Sequence, residues 1–289
     1  MHVYLPDFYY FYSFNVTLIR MIREEGYLFI EGLEIGAIYG CFPNEIWNGG
    51  RVVKGTGVEI DNIINTIREL DGLGICIRFT YTNCMIREED LDDKMCNFIT
   101  DLACTGKNEI LVNSEILEAY LRDRYGNSYK YISSATRCVR KVDKLNELVA
   151  SGKYSLVLGD YRDNFDFEYL SKIEQKDKIE ILINPYCKQD CILRQKHYEV
   201  ISCIQLGLPH EEFAKCPCEK LHWYELVDSD HIIKREDLIK YIEMGFTHFK
   251  IEGRNMDPID VIDSYVYYLV KPEYRDKVRN ILLRSFYNR

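Results

Sequence analysis

YSLVLGDYRDNFDFEYLSKIEQKDKIEILIN, residues 154–184, holds the pattern on which the fold turns. An apolar run over 154–159 ends in the polar GDYRDNFD, DFEYLSKIEQ follows with apolar residues at helical spacing, and a second apolar run occupies 178–183. A short strand, a polar loop, an amphipathic helix and another short strand make a βαβ unit, whose strands pair in parallel through a right-handed crossover. The same alternation runs in both directions from here. Further strand candidates lie at 2–5, 33–39, 74–82, 109–113, 129–133 and 248–251, which brings the total to eight. VTLIRMIREE, GVEIDNIINTIREL, LDDKMCNFITDLA, SEILEAYLRDRYG, RKVDKLNELVASG, REDLIKYIEMG and PIDVIDSYVYYLV supply helical periodicity between and after them. Asn113-Ser114 and Asp257-Pro258 suit helix starts, and Gly152 and Gly245 suit helix ends. Eight such units close a (β/α)8 TIM-type barrel, here a single α/β domain over residues 1–289. An open doubly wound sheet would carry a glycine-rich first turn, and no GxGxxG stands there.

Composition narrows the function classes. A net charge of −9 argues against a broad nucleic-acid-binding face, which needs clustered Lys and Arg, while leaving room for a local basic pocket. The N-terminal MHVYLPDFYYFYSF lacks the regions of a signal peptide, and no apolar run reaches the length of about 18 residues at which a membrane span becomes a candidate. The expected location is therefore cytoplasmic. In a reducing compartment the 11 cysteines read as free thiols or metal ligands before disulfides. Residues 8–14 form an aromatic segment that either covers the barrel opening or completes a core or subunit contact.

In a barrel the loops after the strands share one face, and that face carries the site. The loop following 178–183 contains Cys187, Cys191, Cys203, Cys216 and Cys218, five of the 11 cysteines. Thiolates in such a cluster suit a [4Fe–4S] centre, or zinc with or without His197; the alternative is a set of buried free cysteines. The strand end and the return of the chain favour convergence of Cys187, Cys191 and Cys218, with Cys203 or Cys216 as the fourth ligand. His197 is a candidate for proton transfer, or else a hydrogen-bonded structural residue. No GxSxG, HExxH or P-loop pattern occurs, which removes motif support for those hydrolase classes.

Charges beside apolar strands mark further candidates. In HFKIEGR, period two puts Lys250, Glu252 and Arg254 on one face and Phe249 and Ile251 on the other, so the charges point into the barrel end, to bind a ligand or form an internal salt-bridge network. Trp47-Asn48-Gly49-Gly50-Arg51 combines a backbone able to approach a ligand with a guanidinium able to grip a carboxylate or phosphate. Asn48, Arg51, Asn83, Arg137, Lys250 and Arg254 are thus the substrate-binding candidates, for a small anionic molecule or an anionic group on a macromolecule. Glu252 orients an arginine or accepts a proton.

Three segments carry a resemblance. FKIEGR (249–254), the cysteine-containing stretch 184–198 with its His-Tyr, and YGxxPxxxWNGGR-like residues 39–51 resemble the peptidase U32, or collagenase-like, family. That resemblance implies a TIM-type barrel and, in several branches, a [4Fe–4S] cluster on four cysteines serving hydroxylation or related modification of RNA bases or quinone precursors. It thereby implies an oxidoreductase-type modification enzyme needing an electron donor or partner subunit. The alternatives are a zinc-stabilised binding or scaffold protein, or a U32-type peptidase.

Overall fold

The computed structural model describes residues 1–49, 57–212 and 221–287. Eight parallel strands close a barrel in sequence order: β1 (His2–Pro6), β2 (Glu34–Gly40), β3 (Ile77–Tyr81), β4 (Glu109–Val112), β5 (Lys130–Ser133), β6 (Leu156–Leu158), β7 (Ile179–Leu182) and β8 (His248–Lys250). Closure is made by β1 against β8, with His2 opposite His248, Val3 opposite Phe249 and Tyr4 opposite Lys250. The helices between and after the strands are α1 (Tyr12–Glu24), α2 (Ile60–Gly72), α3 (Lys94–Leu102), α4 (Glu115–Tyr125), α5 (Val142–Ala150), α6 (Phe167–Ser171), α7 (Arg194–Leu206), α8 (Trp223–Leu226), α9 (Leu238–Met244), α10 (Pro258–Leu269) and α11 (Arg275–Tyr287). None of them is long and apolar enough to cross a membrane.

Local chemistry sets several boundaries. Ser114 caps α4 by accepting from Leu117 N at 3.3 Å, and Asp257 caps α10 by accepting from Ile259 N at 2.8 Å, with Pro258 as its first residue. Gly245 ends α9 with φ of +105°, a conformation in which a side chain is strained. DFEYLSKIEQ yields only the short α6, because Lys172 ends the helix and the chain turns through Lys176–Lys178 into β7.

The strands alternate as expected for two buried faces. Ile77, Phe79 and Tyr81 of β3, Ile179 and Ile181 of β7, and Phe249 of β8 join the core under the helices. Inside the barrel, Tyr4, Ala37, Tyr39, Leu111, Ile132, Leu156 and Leu158 make a second apolar cluster. The interior also holds charge. Arg78 is fully buried, its Nε 2.7 Å from Glu109 Oε2 and its Nη1 hydrogen-bonded to Glu180 Oε2, with the Tyr4 ring 3.9 Å from its Cζ. The aromatic segment 8–14 completes the core: Phe8, Phe11 and Phe14 are wholly buried, Phe8 packing edge-on against Phe42 and Phe79.

Candidate functional site at the barrel mouth

The C-terminal ends of the strands surround a cavity of about 400 Å³. Its lining includes the last inward residues of five strands, namely Tyr39 of β2, Leu111 of β4, Leu158 of β6, Leu182 of β7 and Lys250 of β8. Residues from the following loops and α7 complete the wall, among them Cys187, Arg194, His197, Glu252 and Arg254. Strand alternation thus delivers Lys250, Glu252 and Arg254 to one space, although regular pairing stops at Lys250.

Each of these groups is held by named partners. Lys250 Nζ lies 3.7 Å from the centroid of the Tyr39 ring and 3.5 Å from Glu180 Oε1. That ion pair is loose, since Glu180 Oε1 accepts no hydrogen bond among the described residues. Burial therefore prevails and pushes the Lys250 ammonium down to about 7, opposed by Glu180 and assisted by Arg78 and Arg254. Arg254 donates from Nη1 to Thr80 Oγ1 at 2.5 Å, and its Cζ stands 5.7 Å from the Tyr39 ring centroid. Glu252 accepts from Tyr186 N at 3.1 Å through Oε2. Asn184, at the end of β7, locks the two loops together: its Nδ2 donates to Glu252 O at 3.0 Å and its Oδ1 accepts from Glu252 N at 2.6 Å.

Arg194 is a site residue that the sequence reading passes over. It opens α7 with 4% exposure, its Cζ 4.2 Å from the Tyr161 ring centroid, and donates to Tyr198 OH at 3.0 Å and Asp160 Oδ1 at 2.7 Å. Burial works to raise the Asp160 pKa, but hydrogen bonding from Arg162 and the charge of Arg194 more than offset it and hold the carboxyl below its usual value. Arg194 stands immediately before QKHYEVIS, the stretch that carries the candidate His197.

The other candidates fall elsewhere. Asn48 is fully buried and donates to Glu45 O at 2.5 Å within its own loop, while Asn83 donates to Ile46 O at 3.0 Å, tying the loops after β2 and β3 together, and accepts from Met85 N at 2.9 Å. Gly49 has φ of +77°, and a Cβ there would meet Asn83 Cα at 3.2 Å; the close approach is to the chain itself. Arg137 donates to Glu118 at 3.0 Å and lines a different feature, an open groove of about 1100 Å³ beside α4 and α5. That groove is larger, but Arg137, Arg140 and Lys144 are paired there with Glu118, Asp163 and Glu147. Arg51, Cys216 and Cys218 lie outside the described residues.

Cys187 and Cys191 share the loop after β7, pinned where Tyr161 OH donates to Lys188 O at 2.9 Å and Arg162 Nη1 to Cys191 O at 3.3 Å. Cys203 is buried in α7, beside the Ser202 that hydrogen-bonds Cys84. Among the described residues no group of three or more His, Cys, Asp or Glu is assembled to hold a metal ion. Of the five cysteines expected to cluster, Cys187 and Cys191 thus share one loop and Cys203 lies in α7, while Cys216 and Cys218 lie outside the described residues.

No family model and no curated protein sequence matches the chain. Among solved structures it is similar to that of the U32 peptidase Mk0906, with a TM-score of 0.48 and 13% identity over 76% of this chain and 85% of that one.

Proposed function

We propose that this chain is an enzyme that binds an anionic substrate in the mouth of its barrel and moves protons on it, with Glu252 as acceptor and His197 as the second proton-transfer group. One observation carries the reading. The chain as a whole has a net charge of −9, yet the cavity is lined by Arg194, Lys250 and Arg254 against Glu252 as the carboxylate lining it. Asp160 and Glu180, which partner two of those cations, are buried behind the wall at 4% and 0% exposure. Tyr39, Tyr161, Tyr186 and Tyr198 add aromatic faces, which suit a planar group attached to the anion. Calorimetric titration with inorganic phosphate and with benzoate tests this. Arg254→Ala is expected to weaken binding about tenfold to a hundredfold, the value of one hydrogen bond to a charged partner. Equal affinity in variant and parent sinks the reading.

The position of Cys187 in the same cavity favours a second reading, in which thiolates of the Cys187–Cys191 loop hold a [4Fe–4S] cluster or, alternatively, zinc. A cluster would supply one-electron chemistry for a redox or hydroxylation-type modification of a small molecule, RNA or peptide, with an external electron donor; zinc would supply a structural tie. Iron, sulfide and zinc are measured on anaerobically purified protein, where Cys187→Ser and Cys191→Ser should each lose the metal. Full metal content in both variants excludes this loop as the seat, and cleavage of a fluorogenic peptide by metal-free protein would instead favour the peptidase reading.

A further inference from the structure

The anion-binding reading leaves Lys250 with more chemistry than its charge. Its side chain is 8% exposed, lines the floor of the mouth cavity at the end of β8, and rests on Tyr39 with its carboxylate partner 3.5 Å away and not hydrogen-bonded at Oε1. An amine intended only as a counter-ion for Glu180 would sit closer, and one intended only to bind an anion would not need to be so deep when Arg254 stands at the same cavity. We infer that Lys250 captures carbonyl groups: with Arg254 holding the anionic end of the substrate, Nζ adds to an aldehyde or ketone carbon beside it. The inference rests on the anion-binding reading and narrows its substrate class to anionic carbonyl compounds.

The step balances without a further reactant. The nitrogen lone pair of the free amine forms the N–C bond as the C=O π pair moves to oxygen, and one N–H proton passes from nitrogen to that oxygen to give a carbinolamine. The nitrogen pair then forms C=N as the C–O bond breaks and the oxygen leaves as water after gaining a second proton. Ammonium plus carbonyl becomes protonated imine plus one water, with no net change of charge or oxidation state. The reacting form is the free amine, and burial, which pushes the ammonium down to about 7, favours that form at neutral pH. An exposed lysine, at its ordinary value near 10.4, holds well under about 1%. Burial of this kind is what turns a lysine from a point charge into a nucleophile.

The test uses the full chain with two probes, glyoxylate for a carboxylate anchor and pyridoxal 5′-phosphate for a phosphate anchor. Each is trapped with cyanoborohydride, and the labelled lysines are located by peptide mass spectrometry. Lys250 should be labelled at least tenfold faster than Lys240, whose side chain is 59% exposed. The favoured probe identifies the anchor, and Lys250→Arg should abolish that labelling while keeping the positive charge. Labelling of Lys250 no faster than Lys240 overturns the inference, a comparison made within the parent protein and independent of whether any variant folds. If phosphate or benzoate still binds and Arg254→Ala still weakens it, only the carbonyl chemistry has failed; if neither anion binds, the reading beneath it has failed too.

Discussion

At the scale of single residues, Glu45 shows how burial converts into pH dependence. It is fully buried after β2, its Oε2 accepts a hydrogen bond from Phe42 N, and its Oε1 has no partner among the described residues. Burial pushes the carboxyl up to about 8, the Phe42 hydrogen bond opposing it. The folded state therefore binds the proton more tightly than the unfolded chain, so the stabilisation is complete below about 4.5 and is lost as pH rises through about 8. Urea midpoints at pH 5, 7 and 9 should show the parent losing stability relative to Glu45→Gln, by on the order of a few kcal/mol in all. Parallel profiles for the two proteins would contradict this assignment. Residues of this kind are hard to read from sequence because Glu45 sits in a loop outside any strand or helix period, where a carboxylate is ordinarily exposed. Lys250 was legible because HFK sets it between apolar neighbours at strand period. IRFTY and IEIL place Arg78 and Glu180 in the same way, yet the sequence expectations name Lys250 and neither of these two.

At the scale of elements, the loop after β8 is shaped by its contact with β1. A Cβ on Gly253 would stand 2.6 Å from Pro6 Cγ and 3.0 Å from Val261 Cγ2, so the loop carrying Glu252 and Arg254 lies directly against β1 and α10. Gly253→Ala must move that loop, at an expected cost of about 1–3 kcal/mol in denaturant unfolding. It should also weaken phosphate or benzoate binding, since Glu252 and Arg254 move with it. A variant as stable as the parent would show that Pro6 and Val261 yield easily. All eight strand candidates are present, most trimmed by a residue or more at the ends, where side chains stay apolar after pairing stops. The last helix, α11, is absent from the sequence expectations although RDKVRNILLRSFY sets Val278, Ile281, Leu282 and Phe286 at helical spacing. The cysteine loop was legible as a concentration of thiols, but spacing alone does not bring sulfurs together in space.

At the scale of the whole molecule, the barrel is held across its interior as well as around its wall. Arg78 on β3 reaches Glu109 on β4 and, across the lumen, Glu180 on β7, which in turn faces Lys250 on β8. Arg78→Met leaves two carboxylates without their main partner in a dry interior and should cost about 3–5 kcal/mol in equilibrium unfolding. Replacing Arg78, Glu109 and Glu180 together by apolar residues should recover much of that loss; a single variant as stable as the parent would show that the network contributes little. The same network also orders events in time. Arg78 meets Glu109 over 31 residues of chain but Glu180 over 102, and β1 finds β8 only when residues 248–250 have emerged from the ribosome. Until then a collapsed nascent chain would have to bury charges whose partners have not been made. The final strand brings both the closing backbone pairs and the amine that faces the last carboxylate.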